Sequence, residues 1–110
     1  MTRPISPLEA LIVERVLEIA PTGNATPMLA ASIRALHVTA GCKCGCATVW
    51  FGPHGDASTG KIVADARATA GGQDIDVIVW ASQGAIVGLE LVGTGAVPLP
   101  AADSIRQHGA

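Results

Sequence analysis

A chain of 110 residues is long enough for one ordinary hydrophobic core and too short for two. Its composition, 49% hydrophobic and 15% charged residues, excludes a disordered chain, because disorder requires low hydrophobicity and high net charge. The net charge of −2 and the scattered basic residues argue against nucleic-acid binding. We therefore expect a single domain spanning residues 1–110 that has no nucleic-acid partner.

The N-terminal region does not resemble a signal peptide. An amphipathic stretch with Glu9, Glu14 and Glu18 stands where an apolar signal core would be. The longest uncharged apolar stretch, residues 77–89, is interrupted by polar residues and is too short to span a bilayer. These features predict a cytoplasmic protein with no membrane partner, in which cysteines are expected to be thiols rather than disulfides.

The first predicted element is a helix over residues 6–20. Ser6 and Glu9 form a capping-box pattern, Pro7 stands at the first helical position, and Pro21 ends the helix. Apolar residues recur with helical spacing and predict its buried face: Leu8, Leu11, Ile12, Val16 and Ile19.

A second helix is predicted over residues 26–37. Thr26 is a suitable N-cap and Pro27 a suitable first helical residue. An apolar stripe of Leu29, Ile33 and Leu36, together with the alanines around it, favours close packing against the first helix.

The rest of the chain follows a two-residue period with Gly and Pro between the runs, which predicts strands. The predicted strands cover residues 38–40, 47–51, 62–68, 75–81 and 85–92, and a tail over residues 98–110 is expected to form a short helical turn near residue 101 and then fray. The fold prediction is α+β, with two N-terminal helices packed on one face of a four- or five-stranded antiparallel sheet.

The last two predicted strands form a hairpin whose loop determines which residues face each other. A two-residue loop requires a left-handed Gln83, which Gln disfavours, so we predict a three-residue loop that pairs Ala81 with Ala85. This register gives one wholly apolar face: Ile75, Val77, Val79, Ala81, Ala85, Val87, Leu89 and Leu91. The opposite face then has Trp80 opposite Ile86 and Glu90 opposite Asp76.

This second face is the basis of the main functional hypothesis. Two helices cover only one side of a sheet, and alternation allows both tryptophans to lie on the other side. Trp50, Ile78, Trp80 and Ile86 are therefore the candidate anchors of a non-catalytic binding or accessory protein, whose partner is another protein or a second copy of the chain. The alternative is that the C-terminal tail folds back over this face.

The alternative function is zinc binding by the sequence Cys42-Lys43-Cys44-Gly45-Cys46. Together with His54, the three cysteines give the four ligands that a tetrahedral zinc site needs. On a straight strand the outer cysteines would lie about 13 Å apart, so the segment has to curl, which Gly41 and Gly45 permit. A redox role and a loop of partly buried thiols without further function remain alternatives.

The sequence contains no recognisable catalytic constellation. No nucleophile-elbow motif surrounds any serine, and the histidines are far apart in sequence. Residues 55–62 match a phosphate-binding loop except at Ile62, where the motif requires Ser or Thr to bind magnesium. The prediction is therefore a protein without catalytic activity, and an enzyme is kept as a third alternative, because the absence of a motif does not establish the absence of an activity.

The order of these motifs resembles a group of small uncharacterised bacterial proteins. The resemblance is carried by the cysteine run from Cys42 to Cys46, by the later hairpin over residues 77–92 with its Gly84, and by the Leu89-Glu90 pair. That group has a two-helix start, a Cys-Gly-Cys-rich turn and a C-terminal hairpin, but the resemblance implies no activity.

Overall fold

The structure, a computed structural model, describes residues 2–52 and 60–109, the side chain of Met28 excepted. Its elements are β1 (Arg3–Pro4), α1 (Pro7–Ile19), α2 (Met28–Ala31), β2 (His37–Gly41), β3 (Val49–Phe51), β4 (Lys61–Ala70), β5 (Gln73–Ser82) and β6 (Ala85–Val92), with 3-10 turns at Ile33–Ala35 and Ala102–Ser104. The strands form one antiparallel sheet in the order β1-β2-β3-β6-β5-β4. The α+β class is confirmed, whereas two helices on four or five strands is wrong: the sheet has six strands, and within the described residues only α1 is longer than about one turn.

The start of α1 follows the prediction. Ser6 Oγ accepts a hydrogen bond from the Glu9 amide at 3.1 Å, and the Glu9 carboxylate accepts one from the Ser6 amide at 2.9 Å. The predicted buried face is partly wrong, because Leu8 and Leu11 are exposed. The apolar residues of α1 that are buried are Ala10, Ile12, Val13 and Val16.

The helix presents this different face because Glu9 is held inside the protein. Arg3 of β1 donates two hydrogen bonds to the Glu9 carboxylate, at 2.9 and 2.7 Å, and Glu9 is only 3% exposed. Burial by itself raises the pKa of Glu9, but the hydrogen bonds from Arg3 and Ser6 outweigh burial and hold that pKa below its ordinary value. This ion pair fixes α1 against the β1 edge of the sheet.

The predicted second helix is only α2 followed by a 3-10 turn. Pro27, not Thr26, occupies the N-cap position, and no side chain caps the helix. Ser32 Oγ donates to the Leu29 carbonyl at 3.3 Å, and the backbone changes to the 3-10 turn there. Leu29 and Ile33 are the only residues of these two short elements known to be fully buried, and so short an apolar stripe does not sustain a longer helix.

The C-terminal tail does not fray over the described residues. Arg106 exchanges two backbone hydrogen bonds with Arg67 of β4, at 2.8 and 2.9 Å, and Ile105 is buried. The Asp65 amide, on the same edge of β4, donates to the Ala20 carbonyl at 3.1 Å. The outer edge of β4 is therefore paired with two segments from other parts of the chain, which protects it from strand addition.

The β5–β6 hairpin has a different register from the predicted one. Ser82 pairs with Ala85 across a two-residue turn, in which Gln83 and Gly84 have φ of 52° and 80°. Ala81 therefore pairs with Ile86, and a bulge at Val87 restores the alternation further along. The left-handed Gln83 costs on the order of 1 kcal/mol, whereas burial of the Ile86 side chain contributes roughly 1.5–3 kcal/mol.

The core lies between α1 and one face of the sheet, which we call the covered face. Helix α1 packs over β4 and β5, and the sheet residues beneath it are completely buried: Ala64, Ala66, Ile75, Val77 and Val79. Val97, in the segment after β6, is also buried. The opposite side, the open face, has half-exposed side chains. No helix among the described residues is long and apolar enough to cross a membrane.

Candidate functional site: the cysteine loop and the open face

The three cysteines lie in a tight loop between β2 and β3. Gly45 has φ of 89° and its amide donates to the Cys42 carbonyl at 3.4 Å, so the segment curls as zinc binding requires. At the base of the loop, the Cys42 amide donates to the Thr48 carbonyl at 3.3 Å.

Two contacts fix the loop to the rest of the protein. The buried Thr48 hydroxyl accepts a hydrogen bond from the Leu91 amide of β6 at 2.9 Å. The Ala47 amide donates a second hydrogen bond, to the Val97 carbonyl in the segment after β6, at 2.7 Å. The cysteine positions are thus held by β6 and by the segment that follows it.

The three sulfur atoms converge. Cys42 and Cys44 form a disulfide, and their Cα atoms are 5.3 Å apart, within the usual range for that bond. Cys46 is a free thiol whose Sγ is 3.0 Å from Cys44 Sγ, and all three sulfurs lie within 4.8 Å of one another. The expectation of thiols alone is therefore wrong for Cys42 and Cys44, because the curl brings them within bonding distance.

Backbone amides point at two of the sulfurs. The Cys44 amide donates to Cys42 Sγ at 3.3 Å, and the Cys46 amide donates to Cys44 Sγ at 3.5 Å. An N–H donor stabilises a sulfur that carries negative charge, as in a thiolate or a metal ligand. Cys44 is exposed, whereas Cys42 and Cys46 are half-buried. Cys44 is thus the cysteine most accessible to solvent.

The cysteines are close enough to hold a metal ion. His54, the fourth ligand of the predicted set, lies outside the described residues. The sulfurs border a shallow cleft of about 260 Å³ whose other walls include Trp50 and Glu90. The cysteine loop therefore opens toward the two-tryptophan part of the sheet.

Trp50 and Trp80 lie on the open face on either side of Gly88. Gly88 of β6 pairs with Trp50 of β3 and with Trp80 of β5, so the three residues form one row across the sheet. A Cβ at Gly88 would overlap Cε3 and Cζ3 of the Trp50 ring, so the indole lies directly on this glycine. Trp80 Nε1 donates to the Glu90 carboxylate at 3.0 Å. Both indoles are half-buried.

The other two predicted anchors separate. Ile78 pairs with Glu90 and therefore lies on the open face next to Trp80. Ile86 is 1% exposed in the core, because its pairing with Ala81 places it on the covered face. The prediction that Ile86 is an interface residue is therefore wrong. The expected pairing of Glu90 with Asp76 is also wrong, because Asp76 pairs with Val92.

A charged cluster that the sequence did not predict lies at the β4 end of the open face. His108 Nε2 is 2.8 Å from the Asp65 carboxylate and 3.9 Å from that of Asp76. Asp76 also accepts a hydrogen bond from Arg67 at 2.8 Å. These residues were not expected to meet, because the tail was expected to fray and the sequence has no local signal for the pairing of Arg106 with Arg67 that holds the tail against β4.

Comparisons with family models, with curated proteins and with solved structures find no match, so the resemblance to small bacterial proteins adds nothing to the functional argument, which rests on the site alone.

Proposed function

We propose that this is a binding protein whose cysteine loop holds a zinc ion through the thiolates of Cys42, Cys44 and Cys46. The observation that carries the proposal is the convergence of the three Sγ atoms within 4.8 Å. Sulfurs that share a tetrahedral zinc lie about 3.8 Å apart, given a Zn–S bond of about 2.3 Å. The loop therefore needs to adjust its sulfur positions by only about 1 Å.

Zinc binding in this site requires a reduced loop. The disulfide occupies two of the three ligands, and only thiolates bind the metal. The amides of Cys44 and Cys46 already point at sulfurs and would stabilise the negative charge of the ligands. The fourth ligand in this proposal is His54, the residue that completes the donor set expected from the sequence.

Native mass spectrometry after reduction and addition of zinc tests the proposal. We expect one zinc per chain, removed by a chelator, and a loss of binding in Cys44→Ser. His54→Ala is expected to weaken binding, whereas His37→Ala serves as the matched control because His37 starts β2, outside the loop. Reduced wild-type protein that takes up no zinc, or Cys44→Ser protein that still binds it, would contradict the proposal.

A second candidate function is homodimerisation through the open face. Trp50, Trp80 and Ile78 form an apolar area there, and the ion pair between Arg67 and Asp76 lies on the same face. A two-fold axis brings the apolar areas of two copies together and removes both from water, so a second copy is the occupant that this face fits best.

Sedimentation equilibrium tests the dimer. We expect Ile78→Asp to give a monomer, and Leu8→Ser to leave the dimer intact because Leu8 is an exposed apolar residue on α1, on the other side of the sheet. A wild-type monomer would contradict this candidate, as would a dimer that Leu8→Ser dissociates but Ile78→Asp does not.

A further inference from the structure

The three sulfurs are not equivalent: one of them lies between the other two, which metal binding does not require. Cys44 Sγ is bonded to Cys42 Sγ and is also 3.0 Å from Cys46 Sγ, so the central sulfur touches both of the others. The central cysteine is exposed and the outer two are half-buried. An external thiol or disulfide therefore reaches Cys44 most easily, and the sulfurs of Cys42 and Cys46 lie next to it.

We propose that the cysteine loop is a thiol–disulfide exchange site, in which Cys44 reacts with low-molecular-weight thiols and disulfides and either Cys42 or Cys46 resolves the mixed disulfide. This activity goes beyond zinc binding and does not depend on it. Exchange proceeds by attack of a thiolate on a disulfide sulfur, so a nearby resolving thiol on each side of the reacting sulfur provides two routes to completion.

The forward reaction needs no oxidant other than the substrate disulfide. In the reduced loop, the Cys44 thiolate attacks one sulfur of the substrate disulfide, whose bond breaks, and the first substrate thiolate leaves and takes up a proton. The Cys46 or Cys42 thiolate then attacks Cys44 Sγ and expels the second substrate thiolate. The substrate gains two electrons and two protons, and two cysteines of the loop lose them as one disulfide forms. A thiol of the same class reverses both steps.

The oxidised loop undergoes an internal exchange of the same kind. The Cys46 thiolate attacks Cys44 Sγ, the bond between Cys42 and Cys44 breaks, and Cys42 leaves as a thiolate that takes the proton Cys46 gave up. The Cys44 amide points at Cys42 Sγ and stabilises the charge on that leaving sulfur. The disulfide thus moves between two positions that share Cys44, and no electrons enter or leave the chain.

Hydrogen bonds between the loop and the rest of the protein keep the three sulfurs close together. The two residues that follow the cysteines are both held by hydrogen bonds, Thr48 to Leu91 of β6 and Ala47 to Val97. Intramolecular groups held within reach react as though at very high concentration. Resolution by a neighbouring cysteine is therefore expected to outrun attack by a second molecule of external thiol.

Oxidised glutathione is the probe for the experiment. Reduced protein in the presence of EDTA is mixed with oxidised glutathione and quenched with acid at increasing times, and free cysteines are alkylated and mapped by mass spectrometry. Wild-type protein is expected to give both the Cys42–Cys44 and the Cys44–Cys46 disulfide without an accumulating adduct. The Cys42→Ser/Cys46→Ser double variant is expected to retain glutathione on Cys44.

The single variants provide matched controls. Cys42→Ser and Cys46→Ser each keep one resolving thiol and are expected to complete the reaction, whereas Cys44→Ser is expected to form a protein disulfide at least about tenfold more slowly. Circular dichroism establishes that each variant is folded. A single wild-type product with Cys46 free at every time, or a first adduct on Cys42 or Cys46, would overturn the proposal.

This test and the zinc test fail independently. The exchange reaction runs with a chelator, so absence of a zinc site does not alter its outcome. The zinc titration runs on reduced protein, where no disulfide is present to exchange. A loop that binds zinc but gives one fixed disulfide would refute the exchange proposal alone, and a loop that exchanges without taking up zinc would refute the metal proposal alone.

Discussion

Gly88→Ala tests the close contact between Gly88 and the Trp50 indole. The three atoms nearest to an added Cβ all belong to Trp50, and the Cβ would overlap two of them. The backbone of Gly88 is not left-handed, so the substitution brings no conformational strain of its own. The methyl group must displace the indole, and such overpacking costs about 1–3 kcal/mol of the free energy of unfolding.

The effect of Gly88→Ala on the free energy of unfolding is expected to change when the Trp50 indole is removed. In a Trp50→Ala background the added methyl group has room, and alanine restricts the unfolded chain more than glycine does. The same Gly88→Ala change is then expected to be neutral or to stabilise the protein by up to about 1 kcal/mol. The double-mutant cycle therefore predicts a coupling energy of at least about 1 kcal/mol between the two positions.

Urea unfolding followed by far-ultraviolet circular dichroism measures the four proteins of the cycle without relying on Trp50 fluorescence. Gly41→Ala is the matched control, because Gly41 is also a strand glycine and the nearest atom to its Cβ is 3.8 Å away. We expect it to change the stability by less than about 0.5 kcal/mol. An equal cost of Gly88→Ala with and without Trp50 would refute the assignment of the contact.

Three further predictions concern the fold. The pKa of Glu9 is lower in the folded protein than in the unfolded chain, so its ion pair with Arg3 stabilises the protein above the unfolded pKa of about 4.3. This contribution is lost as the pH falls through the folded pKa. The urea midpoint, measured against pH, should show this loss of stability in acid for the wild-type protein and not for Glu9→Gln. Ile86→Ala is expected to lower the free energy of unfolding by about 2–5 kcal/mol, because Ile86 is in the core. Val92→Ala, at a residue 43% exposed, should lower it by less than about 1 kcal/mol. Similar losses for the two variants in thermal unfolding would place Ile86 outside the core. Gln83→Asn should raise stability by a few tenths to about 1 kcal/mol, since Asn tolerates the left-handed turn position, and a lower melting temperature would argue against the two-residue turn.

The elements with strong local signals were predictable from the sequence. The capping box at Ser6 and Glu9 identified the start of α1, and alternation identified β4, β5 and β6 to within a few residues. The co-facing of the two tryptophans also followed from alternation, because a bulge at Val87 changes the facing of Ile86 without changing that of Gly88. Local patterns sufficed where the backbone is regular.

The remaining features depend on partners distant in sequence. Glu9 was expected only to cap α1, and its ion pair with Arg3, which decides which face of α1 is buried, was not predicted. The pairing of Arg106 with Arg67 joins segments almost forty residues apart and has no local signature. For the cysteine loop, the sequence supplied the ligands and the need for a curl, but not the distances that made exchange as well as metal binding a chemical option.

The sheet is bounded on both sides by short segments of its own chain, which limits how the protein can aggregate. On one side β1 ends in Pro4, which has no amide to offer to an incoming strand, and on the other side Arg106 and Ala20 take up backbone groups of β4. These features disfavour fibril growth by pairing of one sheet edge with another in the native fold. Over the described residues, self-association that preserves the fold is therefore expected to use a face of the sheet rather than its edges.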